Sequence, residues 1–280
     1  MKASWVEQPT RDHVRKLIDA SASYNRMGDG ELQFDSDGTF AIVYRRDENI
    51  VAGAIAVIVH DWAYVETVWV DDSLRGQGIG RKLMLAVESY AKQIGLNGIW
   101  LYTIDFQAPD FYRKLGYQQI GILPNRPQGH RASYFAKTDL ITTALTDEFT
   151  VENPVTQASF EIIEDGLVAH ANDHEPIVAY ERVLELFDAD GQLCGGMFAH
   201  EFWGYMDVHL LYAHDDEGLR CQLQALRQYC DDHTLGALIH TFSDAHSQIV
   251  ADFGYQPFAQ LPDYPTGTVG HICLYPQPTT

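Results

Sequence analysis

The second half of this chain contains no lysine. Residues 141–280 carry 3 Lys+Arg against 22 Asp+Glu, whereas residues 1–140 carry 16 and 17. The formal net charge is -20, nearly all of it in the second half. A surface short of cations cannot neutralise phosphates, so nucleic acid and anionic membranes are excluded as partners. The acidic half reads as a solvated, solubility-promoting surface. A sharper reading is electrostatic attraction for a cationic substrate. Cysteine is scarce: Cys194, Cys221, Cys230 and Cys273 all lie in the second half, with no CxxC spacing. That pattern argues against a metal site or a disulfide framework and for small apolar core residues in a reducing compartment. Long apolar runs are missing as well, so no stretch reads as a bilayer span. Met1-Lys2-Ala3-Ser4-Trp5 runs straight into polar, helix-like sequence, without the pattern of a signal peptide. The expectation is a soluble cytoplasmic protein.

What the chain does have is an internal repeat. Leu115-Gly116-Tyr117, Leu123-Pro124, Pro127 and Gly129 recur as Phe253-Gly254-Tyr255, Leu261-Pro262, Pro265 and Gly267, at a constant offset of 138. Upstream, an offset of 142 pairs Val51 with Leu193, Gly53 with Gly195 and Val70 with Tyr212. A constant offset on each side of one small shift argues duplication. The copies are of domain size, which places domains at 1–140 and 147–280. The shift removes residues from the second copy where the first has Arg75-Gly76-Gln77-Gly78-Ile79-Gly80.

In the first copy, Val14, Leu17 and Ile18 recur at helical spacing within residues 10–27. Residues 38–46, 51–60 and 63–70 are rich in Val, Ile, Tyr and Trp. Asp47-Glu48-Asn49 and His60-Asp61 lie between them as turns, which predicts an antiparallel meander. A helix follows with Gly80, Leu83, Met84, Val87 and Ala91 on one face. Then come a short strand at 99–102, a helix over 107–115 ended by Gly116, and strands near 117–122 and 130–136. The order β-α-β-β-β-α-β-α-β-β describes an α+β fold.

A strand, a glycine-rich turn and a helix in succession make an anion site, because unpaired N–H groups and the helix dipole meet there. Arg75, Arg81 and Lys82 add positive charge. No Walker lysine is present, and a meander precedes the loop, so nucleoside triphosphate and Rossmann readings are poor. Val68-Trp69-Val70 followed by Arg75-Gly76-Gln77-Gly78-Ile79-Gly80 resembles motif A of the GNAT acetyltransferase superfamily. Phe111-Tyr112-Arg113-Lys114-Leu115-Gly116-Tyr117 resembles its motif B.

The resemblance covers about residues 1–137 and implies two tandem GNAT-like domains, each a mixed, mostly antiparallel sheet flanked by helices. It implies acetyl-CoA as co-substrate, with the backbone of Val68, Trp69 and Val70 lining the pantetheine. The side chain of Trp69 reads as core. The amides from Gly76 through Gln77, Gly78, Ile79 and Gly80 to Arg81 would cradle the pyrophosphate. It implies Tyr112 as the acid for the departing thiolate and makes Glu66 a candidate base. Glu66 is expected on one strand face with Val68 and Val70. Asp105 and Gln107 stand where many relatives have Asn, and read as helix caps.

The second copy has Val250 at the position of Tyr112, and Ala213-His214-Asp215-Asp216-Glu217-Gly218 in place of the glycine loop. A like-charge pair costs about 1 kcal/mol at 4 Å in water. Three acids facing a diphosphate therefore predict a copy that binds no CoA. The expected activity is acetyl transfer to a primary amine of a small molecule. Alternatives are a protein or peptide amine as acceptor, an acyl-CoA sensor without turnover, or a module that only assembles with a partner. The expected state is a monomer with an internal pseudo-dimer, or a homodimer.

Overall fold

The computed structural model describes residues 1–25, 38–142, 148–172 and 175–276. The end of the first expected helix, residues 26–27, and part of the expected inter-domain stretch, 143–147, lie outside them. The elements in chain order begin with β1 (Lys2–Trp5), α1 (Arg11–Asn25), β2 (Thr39–Arg46), β3 (Asn49–Val59), β4 (Trp62–Val70), α2 (Ile79–Gln93) and β5 (Gly98–Ile104). The first repeat closes with α3 (Pro109–Lys114), β6 (Gln118–Pro124) and β7 (Arg131–Lys137). The second runs β8 (Phe149–Glu152), α4 (Gln157–Asn172), β9 (Tyr180–Phe187), β10 (Leu193–Phe202), β11 (Tyr205–Ala213) and α5 (Asp216–His233). It ends with β12 (Gly236–Thr241), α6 (Asp244–Asp252), β13 (Gln256–Pro262) and β14 (Val269–Tyr275).

The fold is α+β, with two seven-stranded, mostly antiparallel sheets flanked by helices. One has the order β6-β7-β5-β4-β3-β2-β8, the other β1-β9-β10-β11-β12-β14-β13. Tight turns set the first meander. Arg46 pairs with Asn49 across Asp47 and Glu48, whose φ values are 47° and 68°. Two successive positive φ values match the strand twist of a hairpin. On the inner face of this sheet, α2 buries Leu83, Met84 and Val87 against Ala52, Ala54 and Val65.

The compact units do not coincide with the expected domains at 1–140 and 147–280. One unit holds β2 to β8 with α2, α3 and α4; the other holds β1, α1 and the elements from β9 onward. Each repeat thus gives its first strand and first helix to the other repeat's sheet. β1 pairs with β9, and β8 pairs with β2. Glycines show how closely the helices seat. A Cβ on Gly53 would fall 2.3 Å from Ile163 of α4, and one on Gly196 would fall 2.3 Å from Leu17 of α1. The stripe of Val14, Leu17 and Ile18 therefore lands on Val183 and Leu210 of the second repeat. Periodicity marks which helix face is apolar, but any complementary sheet can receive it.

The registers also revise the upstream offset. Trp62 pairs with Gly98 as Tyr205 pairs with Gly236, so the strands correspond at an offset of 143, not 142. Gly53 corresponds to Gly196 rather than Gly195, and both face an exchanged helix.

Candidate active site

β4 and β5 are parallel neighbours for only three residues, Trp62 to Tyr64 against Gly98 to Trp100. Beyond that they diverge, β4 running to Val70 and β5 to Ile104. Among the described residues, the edge of β4 facing β5 has no strand partner from Val65 onward. Such an edge offers backbone donors and acceptors to an extended ligand.

The wide end of this opening meets the start of α2. Asp71 accepts from Ser73 N at 2.9 Å and from its hydroxyl at 2.5 Å, which fixes the turn leaving β4 and lowers the Asp71 carboxyl pKa. Gly76 and Gly78 adopt φ of 73° and 81°, a backbone that disfavours L side chains. Gly78 caps α2 without any side-chain bond. The first-turn amides of α2 have no intrahelical acceptor and lie at the positive end of the dipole. Gly80 packs under Phe111 and Val70, where a Cβ would lie 3.5 Å from the ring. The side chain of Ile79 is buried in the core, leaving its amide for a ligand. The Arg75 guanidinium is held by Val70 O at 3.0 Å, Asp72 at 2.7 Å and His170 Nδ1 at 3.1 Å. Gln77 donates to Ser73 O at 2.8 Å. Both side chains shape the loop.

Tyr112 sits mid-helix in α3, which starts with Pro109 and ends at Gly116 with φ of 88°. Its ring is buried beside Phe111, Tyr117 and Phe135. Burial raises the phenol well above its ordinary value, so the hydroxyl stays protonated through neutral pH. Such a group serves as a hydrogen-bond donor at neutral pH.

Lys137 fastens this helix to α2. Its Nζ donates to Leu115 O at 2.9 Å and to the fully buried Glu88 carboxylate at 2.7 Å. An acid four residues after Met84, inside the apolar stripe of α2, was the readable sign of this pair.

Glu66 lies at a β-bulge. Val65 pairs with Ala56 and Thr67 with Ile55, so Glu66 is the extra residue. The bulge breaks the expected alternation with Val68 and Val70, since an added residue inverts strand parity. Val65, Val68 and Val70 all join the α2-side core, whereas Trp69 packs on the other face with Ile163 of α4. The Glu66 carboxyl is raised to about 7, first by burial and second by Glu164 of α4. The residue itself is exposed at the bulge. Water reaches it, but the surrounding protein thins its hydration.

Asp105 and Gln107 do not cap α3. Asp105 accepts from Arg131 N at 3.2 Å and contacts His130 Nδ1 at 2.8 Å. Gln107 folds back onto Ile104 N at 2.9 Å. The cap position is Ala108.

The second repeat keeps the opening but carries an acidic turn where the first has its glycine loop. β11 and β12 pair only from Tyr205 to Asp207. Asp215 caps α5 by accepting from Gly218 N at 2.8 Å, and Asp216 and Glu217 follow in the first turn. A carboxylate already occupies the helix N-terminus. Val250 is buried where the first repeat has Tyr112, and His209 holds the bulge position of Glu66.

The profile of the acetyltransferase (GNAT) family matches residues 5–117. A blasticidin-S acetyltransferase of Streptomyces morookaense is 35% identical over 81 residues, 29% of this chain and 60% of that protein. This chain thus spans less than two thirds of that relative. Acetyltransferase Atu2258 of Agrobacterium fabrum (strain C58 / ATCC 33970) is 31% identical over 126 residues, 44% of this chain and 88% of that one. A crystal structure of an acetyltransferase from Bacillus cereus ATCC 14579 is 29% identical, with a TM-score of 0.40, covering 47% of this chain and 95% of that one.

Proposed function

Because the chain belongs to the acetyltransferase (GNAT) family, we propose that the first repeat moves an acetyl group from acetyl-CoA to the primary amine of a small molecule. The observation that carries this reading is the unpaired edge of β4, open between the α2 N-terminus at one end and Glu66 at the other. Pantetheine would extend along Val68, Trp69 and Val70 as an added strand. The pyrophosphate would sit on the amides from Gly76 to Arg81. The residues fit the co-substrate: two positive-φ glycines keep side chains out of the cradle, and a Cβ at either would meet nothing within 4 Å.

The chemistry then follows from two proton holders. An alkyl ammonium must lose a proton before it can attack. Glu66, near neutrality, takes that proton and passes it to water. The amine attacks the thioester carbon, the carbon–sulfur bond breaks, and the electron pair leaves on sulfur. Tyr112 gives its proton to the thiolate and recovers one from the nitrogen as the amide forms. The small-molecule acceptor takes support from the relative named for blasticidin-S. The second repeat, with Asp215 in its anion site, is the copy without CoA.

Calorimetric titration with acetyl-CoA tests this together with release of the CoA thiol in the presence of amines. The reading requires one site, weakened by Gly78→Val, and amine-dependent thiol release. Binding of acetyl-CoA at two sites would overturn the silent second repeat. No binding would overturn the whole assignment, and binding without turnover on any amine would leave a sensor.

A further inference from the structure

A helix of the second repeat runs the length of the first repeat's reacting strand. α4 meets β4 and its following loop at three levels. Beside the bulge, the Thr67 hydroxyl donates to the Glu164 carboxylate. Mid-strand, Trp69 lies so close to Gly166 that a Cβ there would fall 2.3 Å from the indole. At the glycine loop, Arg75 Nη1 meets His170 Nδ1 at 3.1 Å. Ile163, Gly166 and His170 recur at i, i+3 and i+7, one face of the helix.

Glu164 is half-buried beside Thr67, and Glu66 precedes Thr67 at the bulge. Two residues facing one partner residue turn Glu66 and Thr67 toward the same side of the sheet. Neither carboxylate has a basic partner among the described residues. Opposite the bulge, β3 offers only Ile55 and Ala56, and β4 itself contributes Val65 and Thr67. The other acids of this stretch of α4, Glu161 and Asp165, are exposed. Among the described residues, Glu164 is thus the one charge that acts on Glu66.

We propose that Glu164, supplied by the second repeat, is a positioning residue of the acyl-transfer site that, with Glu66, holds an aliphatic amine arriving as its ammonium ion. The proposal rests on the reading of Glu66 as base. Two neighbouring carboxylates without a counter-charge disfavour each other, and a cation between them relieves both. Burial first, and this repulsion second, keep Glu66 ready to accept a proton near neutral pH. The repeat that lost its own glycine loop therefore still completes the site of the other.

Glu164→Gln tests this, because its amide oxygen can still accept from Thr67. Carbon NMR titration of the Glu66 carboxyl in the full chain should show its midpoint falling by about 0.7 unit, the effect of one like charge at ~4 Å in water. The KM for the amine should rise several-fold, with acetyl-CoA affinity unchanged. Glu164→Asp should keep the charge and most of the raised midpoint. An unmoved Glu66 midpoint in Glu164→Gln would overturn the proposal, as would a matching loss of acetyl-CoA affinity, which marks a scaffold role. Glu66→Gln separates the two layers. If it turns over normally, the base reading fails, while the NMR shift still decides whether Glu164 acts on Glu66.

Discussion

Replacing Lys137 with Met is the sharpest test of how α2 and α3 are joined. Lys137 is 10% exposed, its partner Glu88 is fully buried, and their separation is 2.7 Å. Met fills much of the stem volume but carries no charge. Glu88 would keep only a long contact to Oε2 from Ile141 N at 3.5 Å and the neighbouring Tyr117 hydroxyl, neither of which carries a positive charge. Removing one member of a buried pair costs about 3–5 kcal/mol, because the remaining charge is neither paired nor hydrated. Losing the bond to Leu115 O adds about 1 kcal/mol. For a unit of this size each kcal/mol lowers the melting midpoint by about 2–4 °C. The expected fall is therefore roughly 8–24 °C. Differential scanning calorimetry of Lys137→Met and of the double variant Glu88→Gln/Lys137→Met measures it. The double variant should regain most of the loss, since no buried charge is then stranded. A single variant within about 1 kcal/mol of the parent, or a double variant no better than the single, would refute the reasoning.

Five further outcomes are expected. Tyr112→Phe should lower kcat by about 10²–10⁴ while acetyl-CoA binding stays within a few-fold, read by steady-state kinetics and calorimetry. The kcat/KM profile should fall on the acid side of about pH 7, as Glu66 takes up its proton. Its folded pKa lies above the unfolded value, so its ionisation opposes folding only at higher pH, and Glu66→Gln should melt slightly higher at pH 8 and unchanged at pH 4. Leu17→Ala should cost about 2–5 kcal/mol in the unit built on β9 to β14, although Leu17 precedes the first repeat's sheet in sequence. Hydrogen exchange should show that loss of protection in β9 to β11, with β2 to β4 unchanged. His240 is depressed to about 4, chiefly by burial. Its neutral form is the folded one, so stability should drop by about 2–3 kcal/mol as pH falls from about 6.5 to 4, and His240→Gln should flatten that slope in urea titrations.

Much of the fold was legible because its signals are local. Alternating Val, Ile and Tyr residues mark β2, β3 and β4, and chain reversals lie at Asp47-Glu48 and His60-Asp61, with Asn49 of the expected first turn already in β3. The Gly76-Gln77-Gly78 loop was found because left-handed backbone is written in residue type. Less legible was the side-chain direction of Glu66, since a single inserted residue reverses parity and leaves no mark of its own in composition. Glu164 and His170 were missed for another reason: nothing in α4 says which sheet it will cover.

The sequence by itself carried the internal repeat, the glycine loop of the first copy, its acidic replacement in the second, and Val250 in place of Tyr112. These follow from residue identity and spacing, which survive without knowledge of distant contacts. Only the tertiary structure decided that each repeat lends its first strand and helix to the other's sheet, that the bulge turns Glu66 toward α4, and that Lys137 joins Glu88 to the end of α3. Those arrangements depend on which surfaces fit at close range, as Gly53 fits Ile163 and Gly196 fits Leu17. Shape complementarity between segments far apart in the chain is a property of the packed molecule, not of any stretch of it.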